Sequence, residues 1–232
     1  MDLNKVNHRI DNQQHKESCS MKCLSEICNS PKTLVEKYIS GLKNAFIERN
    51  KKAKWDEFES CAEGASNENI DRIKELYPEV PDSLIELLSY VDGTYFKEYK
   101  GHRIFLYFLG SSLEEYPYYL LSSKQIINNI NEATEYYSEY IDREYDPDDI
   151  YIDDRLTDNS SKMKWLHFSD CMNNGGTSQL FIDFSPSDLG VMGQVVMFLH
   201  DPDRIEVIAD SFDQYLEMLI NGNFNFIVED DY

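Results

Sequence analysis

The chain has 232 residues, of which 41% are hydrophobic and 13% aromatic, so it can bury the core of one large domain with an appended segment. It contains 22 Lys and Arg against 43 Asp and Glu, which gives a formal net charge of −21. This charge repels phosphate groups, so we expect the protein to bind neither nucleic acid nor a membrane surface.

The charge is distributed unevenly along the chain. Residues 1–54 contain 11 basic and 6 acidic side chains, whereas residues 55–232 contain 11 and 37. We therefore predict a polar, disordered leader over 1–30, a helical extension with a linker over 31–54, and one domain over 55–232. The leader lacks the apolar core of a secretory signal, and no stretch of the sequence has the roughly 18 apolar residues of a membrane helix. The expected location is the cytoplasm.

The leader contains four side chains of the kinds that bind zinc, namely His15, Cys19, Cys23 and Cys28. Structural zinc sites usually separate two close pairs of ligands by a longer stretch. Here all four ligands follow one another within a single polar run. The spacing therefore favours reduced cysteines over a zinc site, and we predict no metal and no cofactor.

Apolar residues at helical spacing predict three helices in the first half of the chain, over 31–49, 67–77 and 82–91. Ser30 and Ser66 are suitable N-caps for the first two helices. The third helix follows Pro81 and ends at Asp92-Gly93, because glycine adopts the left-handed conformation that terminates a helix. Ser122 with Gln125, and Ser211 with Gln214, match the capping box that opens a helix.

Apolar runs bounded by turn residues predict the strands. They cover 104–110, a short edge strand over 118–121, and then 164–168, 179–184, 194–199 and 205–209. The last four strands are separated by turns and not by helices, which is typical of an antiparallel meander. We predict an α+β fold with a twisted, mainly antiparallel sheet of about five or six strands flanked by helices.

Two short motifs are similar to catalytic ones but fit turns better. The run NNGGT (173–177) is glycine-rich like a phosphate-binding loop, yet it leads into a strand and not into a helix. The pair His200-Asp201 occurs in metal-dependent hydrolases, but Pro202 follows it and no further ligand lies at helical spacing. The sequence contains no nucleophile elbow, HExxH, Walker or dinucleotide-binding motif. We therefore predict that the protein is not an enzyme.

The segment 142–158, DREYDPDDIYIDDRLTD, contains eight carboxylates and two arginines. This composition, together with Pro147, predicts a solvated loop. Two interpretations stay open: the charge serves only solubility, or the carboxylates imitate a phosphate backbone while the tyrosines anchor a protein partner. On the second interpretation the partner-binding residues are Asp146, Asp148, Asp149, Tyr151, Asp153 and Asp154.

A set of residues that extends from the first tryptophan to the last helix shows a distinctive order and spacing: Trp55, Gly93, Trp165, Asp183, Phe184, Pro186, Gly190, Gly193, Gln194, Ser211 and Phe212. In this order and spacing the chain resembles the SUKH superfamily, which contains yeast cell-wall regulators and many bacterial proteins. We interpret these residues as architectural. The glycines permit tight backbone turns, Ser211 caps a helix, and the aromatic side chains fill a core.

The resemblance implies a protein-binding role without catalysis. Bacterial members of the superfamily include immunity proteins that neutralise polymorphic or contact-dependent toxins, often nucleases. We therefore expect an immunity protein that binds a basic toxin domain and is itself a monomer or weak homodimer. The alternative is a cell-envelope or signalling scaffold like the yeast relatives. A hydrolase that uses buried carboxylates is a third class, for which the sequence offers no motif.

Overall fold

A computed structural model describes residues 32–113, 116–146, 150–171, 178–200 and 202–227. The chain divides by its internal contacts into the units Met1–Thr33 and Leu34–Tyr232, and the second unit contains all the elements given below. The predicted leader over 1–30, with its cysteine cluster and Ser30, lies outside the described residues. The predicted boundary at residue 55 stays a prediction.

The described residues form seven α-helices, nine strands and one short 3-10 helix. The helices are α1 Leu34–Glu48, α2 Lys52–Cys61, α3 Asn67–Leu76, α4 Asp82–Tyr90, α5 Ser123–Asn128, α6 Glu132–Ile141 and α7 Phe212–Asn221. The strands are β1 Tyr95–Tyr99, β2 His102–Phe105, β3 Leu109–Gly110, β4 Pro117–Leu120, β5 Tyr151–Ile152, β6 Trp165–Cys171, β7 Ser178–Asp183, β8 Gln194–Leu199 and β9 Arg204–Ala209. The 3-10 helix is Ser160–Lys162.

Seven of the strands form one mostly antiparallel sheet in the order β3-β4-β6-β7-β8-β9-β5, and β1 with β2 forms a separate hairpin. Strands β6 to β9 pair antiparallel in chain order, which confirms the predicted meander and the α+β class. The prediction of five or six strands missed β1 and β5. Strand β5 has only two residues, too few for a periodic pattern to be visible in the sequence, and β1 contains the charged side chains Lys97 and Glu98.

Three predicted elements differ from the observed ones. The apolar run 104–110 is not one strand. It contains the end of β2 and all of β3, and residues 106–108 between them belong to neither strand. Strand β4 was expected at an edge but lies between β3 and β6. The helix after Ser122 is two helices, α5 and α6, and the predicted capping box opens the first of them.

Alternation along the central strands divides the core into two clusters, one on each face of the sheet. On β7, Leu180 and Ile182 belong to the larger cluster, with side chains of α1 to α4 and α7. Phe181, between them, belongs to the smaller cluster with Tyr137 and Ile141 of α6. Helices therefore cover both faces, and every residue of β7 and β8 is buried.

Two buried tyrosines fasten α1 and α7 to the backbone around β3. The hydroxyl of Tyr38 donates to the carbonyl of Phe108, and that of Tyr215 donates to the carbonyl of Gly110, both at 2.6 Å. Burial raises the pKa of both phenols, so they stay protonated donors at neutral pH. Among the helices that the structure describes, none combines the length and the apolar surface required to span a bilayer.

We expect Gly93→Ala to destabilise the fold much more than Gly101→Ala. Both glycines have positive φ angles, of 90° and 83°, but a Cβ on Gly93 would lie 2.6 Å from the backbone nitrogen of Ser122, whereas one on Gly101 would have no atom within 4 Å. The left-handed conformation costs alanine about 1–2 kcal/mol at either position. The clash at Gly93 should raise the total loss to about 3 kcal/mol or more. Urea unfolding of both variants tests this, and equal losses would contradict it.

Candidate functional site

The acidic segment 142–158 is attached to the protein at several points along its length. At its start, the carboxylate of Asp142 accepts hydrogen bonds from the backbone N–H and the hydroxyl of Ser160, at 2.7 and 2.6 Å. Further along, β5 pairs in parallel with β9 at the edge of the sheet. The prediction of a solvated loop is therefore wrong for this part of the segment. The run Ile150-Tyr151-Ile152, rich in strand-forming residues, is the signal that could have revealed the strand.

The six predicted partner-binding residues separate into three groups. Three are exposed, two lie outside the described residues and one is buried: respectively Asp146, Tyr151 and Asp154; Asp148 and Asp149; and Asp153. The structure therefore corrects the expectation that the whole set lies on an exposed loop. Asp153 is excluded from any contact surface because only 7% of it is accessible.

The carboxylate of Asp153 is held in a network of hydrogen bonds. Its Oδ1 accepts from Nε and from the backbone N–H of Arg155, at 3.0 and 2.9 Å, and its Oδ2 accepts from Nη2 of Arg155 at 2.6 Å. Burial alone would raise the pKa of Asp153, but these hydrogen bonds, one from Val207 and the charge of Arg155 outweigh burial, and the pKa lies below its ordinary value. The carboxylate is therefore ionised and paired.

Asp153 and Arg155 also take the place of a neighbouring strand beyond the end of β5. The backbone N–H of Val207 in β9 donates to Oδ2 of Asp153 at 3.2 Å, and its carbonyl accepts from Nη2 of Arg155 at 2.9 Å. The two side chains thus satisfy the backbone groups of β9 that β5 is too short to reach. Sequence reasoning missed Arg155. The signal was the i, i+2 spacing of opposite charges, which places two side chains on one side of an extended backbone.

A second buried network connects the acidic segment to the loop between β7 and β8. Nε2 of Gln194 donates to the carbonyl of Arg155 at 3.2 Å and to Oδ2 of Asp183 at 3.0 Å. Oδ1 of Asp183 accepts from the backbone N–H and hydroxyl of Ser185, at 2.7 and 2.9 Å. Burial raises the pKa of Asp183 above its ordinary value, although these hydrogen bonds oppose the shift. A Cβ on Gly190 would lie 2.4 Å from the same Arg155 carbonyl, so only glycine allows this approach.

Between the acidic segment and the β7–β8 loop lies an open cleft of about 700 Å³. Its lining residues are Arg143, Asp154, Leu156, Thr157, Asp158, Lys162, Ser185, Pro186, Ser187, Asp188 and Leu189. Three exposed carboxylates, those of Asp154, Asp158 and Asp188, face two basic side chains there. Arg143 is close enough to Asp154 and Asp158 for their charges to interact. The cleft is therefore wide and open with a small excess of carboxylates, and it suits a protein partner more than an enclosed small molecule.

Most of the other residues singled out from the sequence are buried or cap an element. Trp55 is buried between Phe46 and Phe58, with ring centroids 5.6 and 5.2 Å away. Ser211 caps α7 and accepts a hydrogen bond from the backbone N–H of Gln214 at 3.1 Å. Further buried aromatic side chains of the set are Trp165, Phe184 and Phe212. Gly193 has a φ angle of 88°, and Pro186 lines the cleft.

The motifs interpreted as turns do not assemble a reactive centre in the part of the chain that the structure describes. Nδ1 of His200 lies 2.6 Å from a carboxylate oxygen of Asp203, and Asp201 is outside the described residues, as are 173–177. His167, inside β6, has the amide of Asn129 as its partner at 3.0 Å. No group of three His, Cys, Asp or Glu side chains able to hold a metal ion occurs among the described residues.

The model of the SMI1 / KNR4 family (SUKH-1) matches residues 64–218, about two thirds of the chain. The chain belongs to this family. A search of curated proteins found no match. The match to the SUKH-1 model contains the meander, the acidic segment and both buried networks, so the cleft is built entirely within the family domain. Trp55 and α1 precede the matched residues.

We expect Asp153→Asn to lower the free energy of unfolding by about 1–3 kcal/mol, because the amide cannot accept the hydrogen bonds of Arg155 and Val207 together and leaves the half-buried Arg155 guanidinium without its anionic partner. Asp154→Asn is the matched control. Its side chain is exposed, and the change should be within about 0.5 kcal/mol. Urea unfolding at pH 7 measures both, and a neutral Asp153→Asn variant would show that the network adds no stability.

The two buried carboxylates should respond to pH in opposite directions. The lowered pKa of Asp153 means that its contribution is complete above the unfolded-chain value of about 3.9 and is lost as the pH falls further. The raised pKa of Asp183 means that its contribution is complete below about 3.9 and is lost as the pH rises through the folded value. The penalty of Asp153→Asn should therefore shrink on acidification, and that of Asp183→Asn should grow. Unfolding of each variant against wild type from pH 3 to 7 checks both trends.

Proposed function

We propose that the protein is a non-enzymatic immunity protein, which binds a basic toxin domain and blocks it. The observation that supports this best is the acidic segment, which the Asp153 and Gln194 networks fix beside an open cleft. A solubilising loop has no need of such attachment. Membership of the SUKH-1 family is consistent with a protein-binding role.

The charge of the segment favours a basic partner for physical reasons. Opposite charges accelerate the diffusional encounter of two proteins and align them before contact, and nuclease toxins are commonly basic because they hold phosphate. Because residues 151–155 of the segment are already held by hydrogen bonds to β9 and Gln194, binding orders few further groups in this part and loses less entropy. We propose that the protein acts in the cytoplasm as a monomer or weak homodimer, with a protein as its partner and not a nucleic acid or a membrane.

The exposed carboxylates of the cleft should control the rate of association. The proposal requires a toxin gene beside the gene of this protein, and the probe is the domain encoded there in a catalytically inactivated form. The triple variant Asp154→Asn, Asp158→Asn, Asp188→Asn should associate about tenfold more slowly at low salt, and the difference should vanish at high salt. Stopped-flow kinetics at several ionic strengths measures this.

The matched control removes three exposed charges that do not line the cleft, with Glu48→Gln, Glu68→Gln and Asp71→Asn on α1 and α3. It changes the net charge equally, so it should slow association much less. Equal slowing by both triple variants would show that only total charge matters.

Inhibition should be stoichiometric. Adding the protein to the active toxin domain should abolish toxin activity at one molecule per toxin, and the toxin released from the complex should be chemically unchanged and active. Inactivation by a small fraction of an equivalent would indicate catalysis and contradict the proposal. So would a neighbouring toxin domain whose activity the protein leaves unaffected.

A further inference from the structure

The β7–β8 loop exposes three apolar side chains within four residues. Leu189, Val191 and Met192 are 71%, 50% and 58% accessible, which are the highest values among the large aliphatic side chains of the described residues. Single exposed apolar residues are common on protein surfaces, but a contiguous group in water is a feature of interaction sites. Nothing in the fold requires these three side chains to be apolar.

Hydrogen bonds hold the backbone of this loop, although its apolar side chains are exposed to solvent. The N–H of Gly193 donates to the carbonyl of Asp183 at 2.7 Å, and the N–H of Val191 donates to Oε1 of Gln194 at 3.0 Å. The N–H groups of Leu189 and Gly190 donate to the hydroxyl and the carbonyl of Ser187, at 3.2 and 3.1 Å. The loop therefore presents the apolar side chains from a rigid support, and ordering it on binding costs little entropy.

The base of the loop is attached to the acidic segment. The N–H of Ser187 donates to the carbonyl of Arg155 at 3.0 Å, and its hydroxyl donates to the carbonyl of Asp154 at 2.7 Å. Leu189 lines the same cleft as Asp158 and Asp188. The apolar group thus stands at the border of a carboxylate-rich surface, which is the arrangement of an apolar interface centre with a charged rim.

We infer that Leu189, Val191 and Met192 form the apolar centre of the partner interface and enter a hydrophobic depression on a protein whose rim contains Lys and Arg. The inference rests on the proposed function and identifies the residues whose contacts would keep the partner bound. Two copies of this chain would bring the same carboxylates face to face across a symmetric contact, so charge disfavours a second copy as the occupant.

The two parts of the surface should act on different rate constants. The carboxylates act at long range and set the association rate, whereas apolar side chains act only in contact and set the dissociation rate. The variant Leu189→Ser, Met192→Ser should therefore accelerate dissociation of the inactivated toxin domain by about tenfold or more, with association changed less than about twofold.

The matched control is Ile130→Ser, which removes an exposed aliphatic side chain that does not belong to the loop or the cleft. It should leave both rate constants unchanged. Circular dichroism and urea unfolding should show all variants folded, since the substituted side chains are exposed. Unchanged dissociation of the double variant would overturn the inference. The proposed function is tested separately, and slower association of the Asp154, Asp158 and Asp188 triple variant agrees with it.

A second experiment needs no toxin. A phage library of random 12-residue peptides is selected on the wild-type protein, with depletion on the Leu189→Ser, Met192→Ser variant. The recovered peptides should combine large apolar residues with flanking Lys or Arg, and should bind wild type at least about tenfold more tightly than the variant. Recovery of such peptides would support the inference even if no toxin is neutralised, in which case the proposed function alone fails.

Two results would overturn it. One is the absence of any peptide whose binding depends on the loop, and the other is enrichment of apolar peptides without basic residues. Sedimentation equilibrium tests the remaining alternative. If the wild-type protein is a dimer and the double variant is a monomer, the loop binds a second copy of the chain, contrary to the proposal.

Discussion

The paired charges of Asp153 and Arg155 determine where the acidic segment lies. Removing the Asp153 carboxylate from water is costly, whereas the Arg155 side chain keeps 37% of its surface accessible. The cost is offset because the two groups bond to each other and to the N–H and carbonyl of Val207. The pair places the segment against β9, and Gln194 then places the β7–β8 loop against the segment. Gln194 donates to the carbonyl of Arg155 and Ser187 to that of Asp154, and these bonds hold the β7–β8 loop beside the segment at the cleft.

The residues that show the family resemblance mostly differ from those that face solvent around the cleft. Those that show the resemblance, such as Asp183, Gln194 and Trp165, are buried and serve packing or hydrogen bonding inside the domain. The side chains that face solvent around the cleft, such as Asp158 and Leu189, play no part in that internal network. The buried residues therefore build the domain, and the exposed side chains determine which chemical groups the cleft presents to solvent.

Local chemistry explains which elements the sequence could predict. Helices α3 and α7 were predicted from their caps, Ser66 and Ser211, and β8 was predicted to the residue, because each signal lies within a few positions of the element it defines. The strand β5 and the burial of Asp153 were missed, since their partner, β9, is about fifty residues further along the chain. The many Asp residues of that segment predicted a solvent-exposed loop. Only the pairing of β5 with β9 shows that Asp153 is buried.

Both outer strands of the sheet, β3 and β5, are two residues long. A free edge recruits other extended chains by offering a row of unpaired backbone groups, and a row this short offers very few. Where β5 stops, side chains occupy the groups of Val207 that an incoming strand would use. Strand addition at this edge is thus disfavoured, and a contact made there is made through side chains. The same feature gives other copies of the chain few backbone groups at these two edges on which to pair into aggregates.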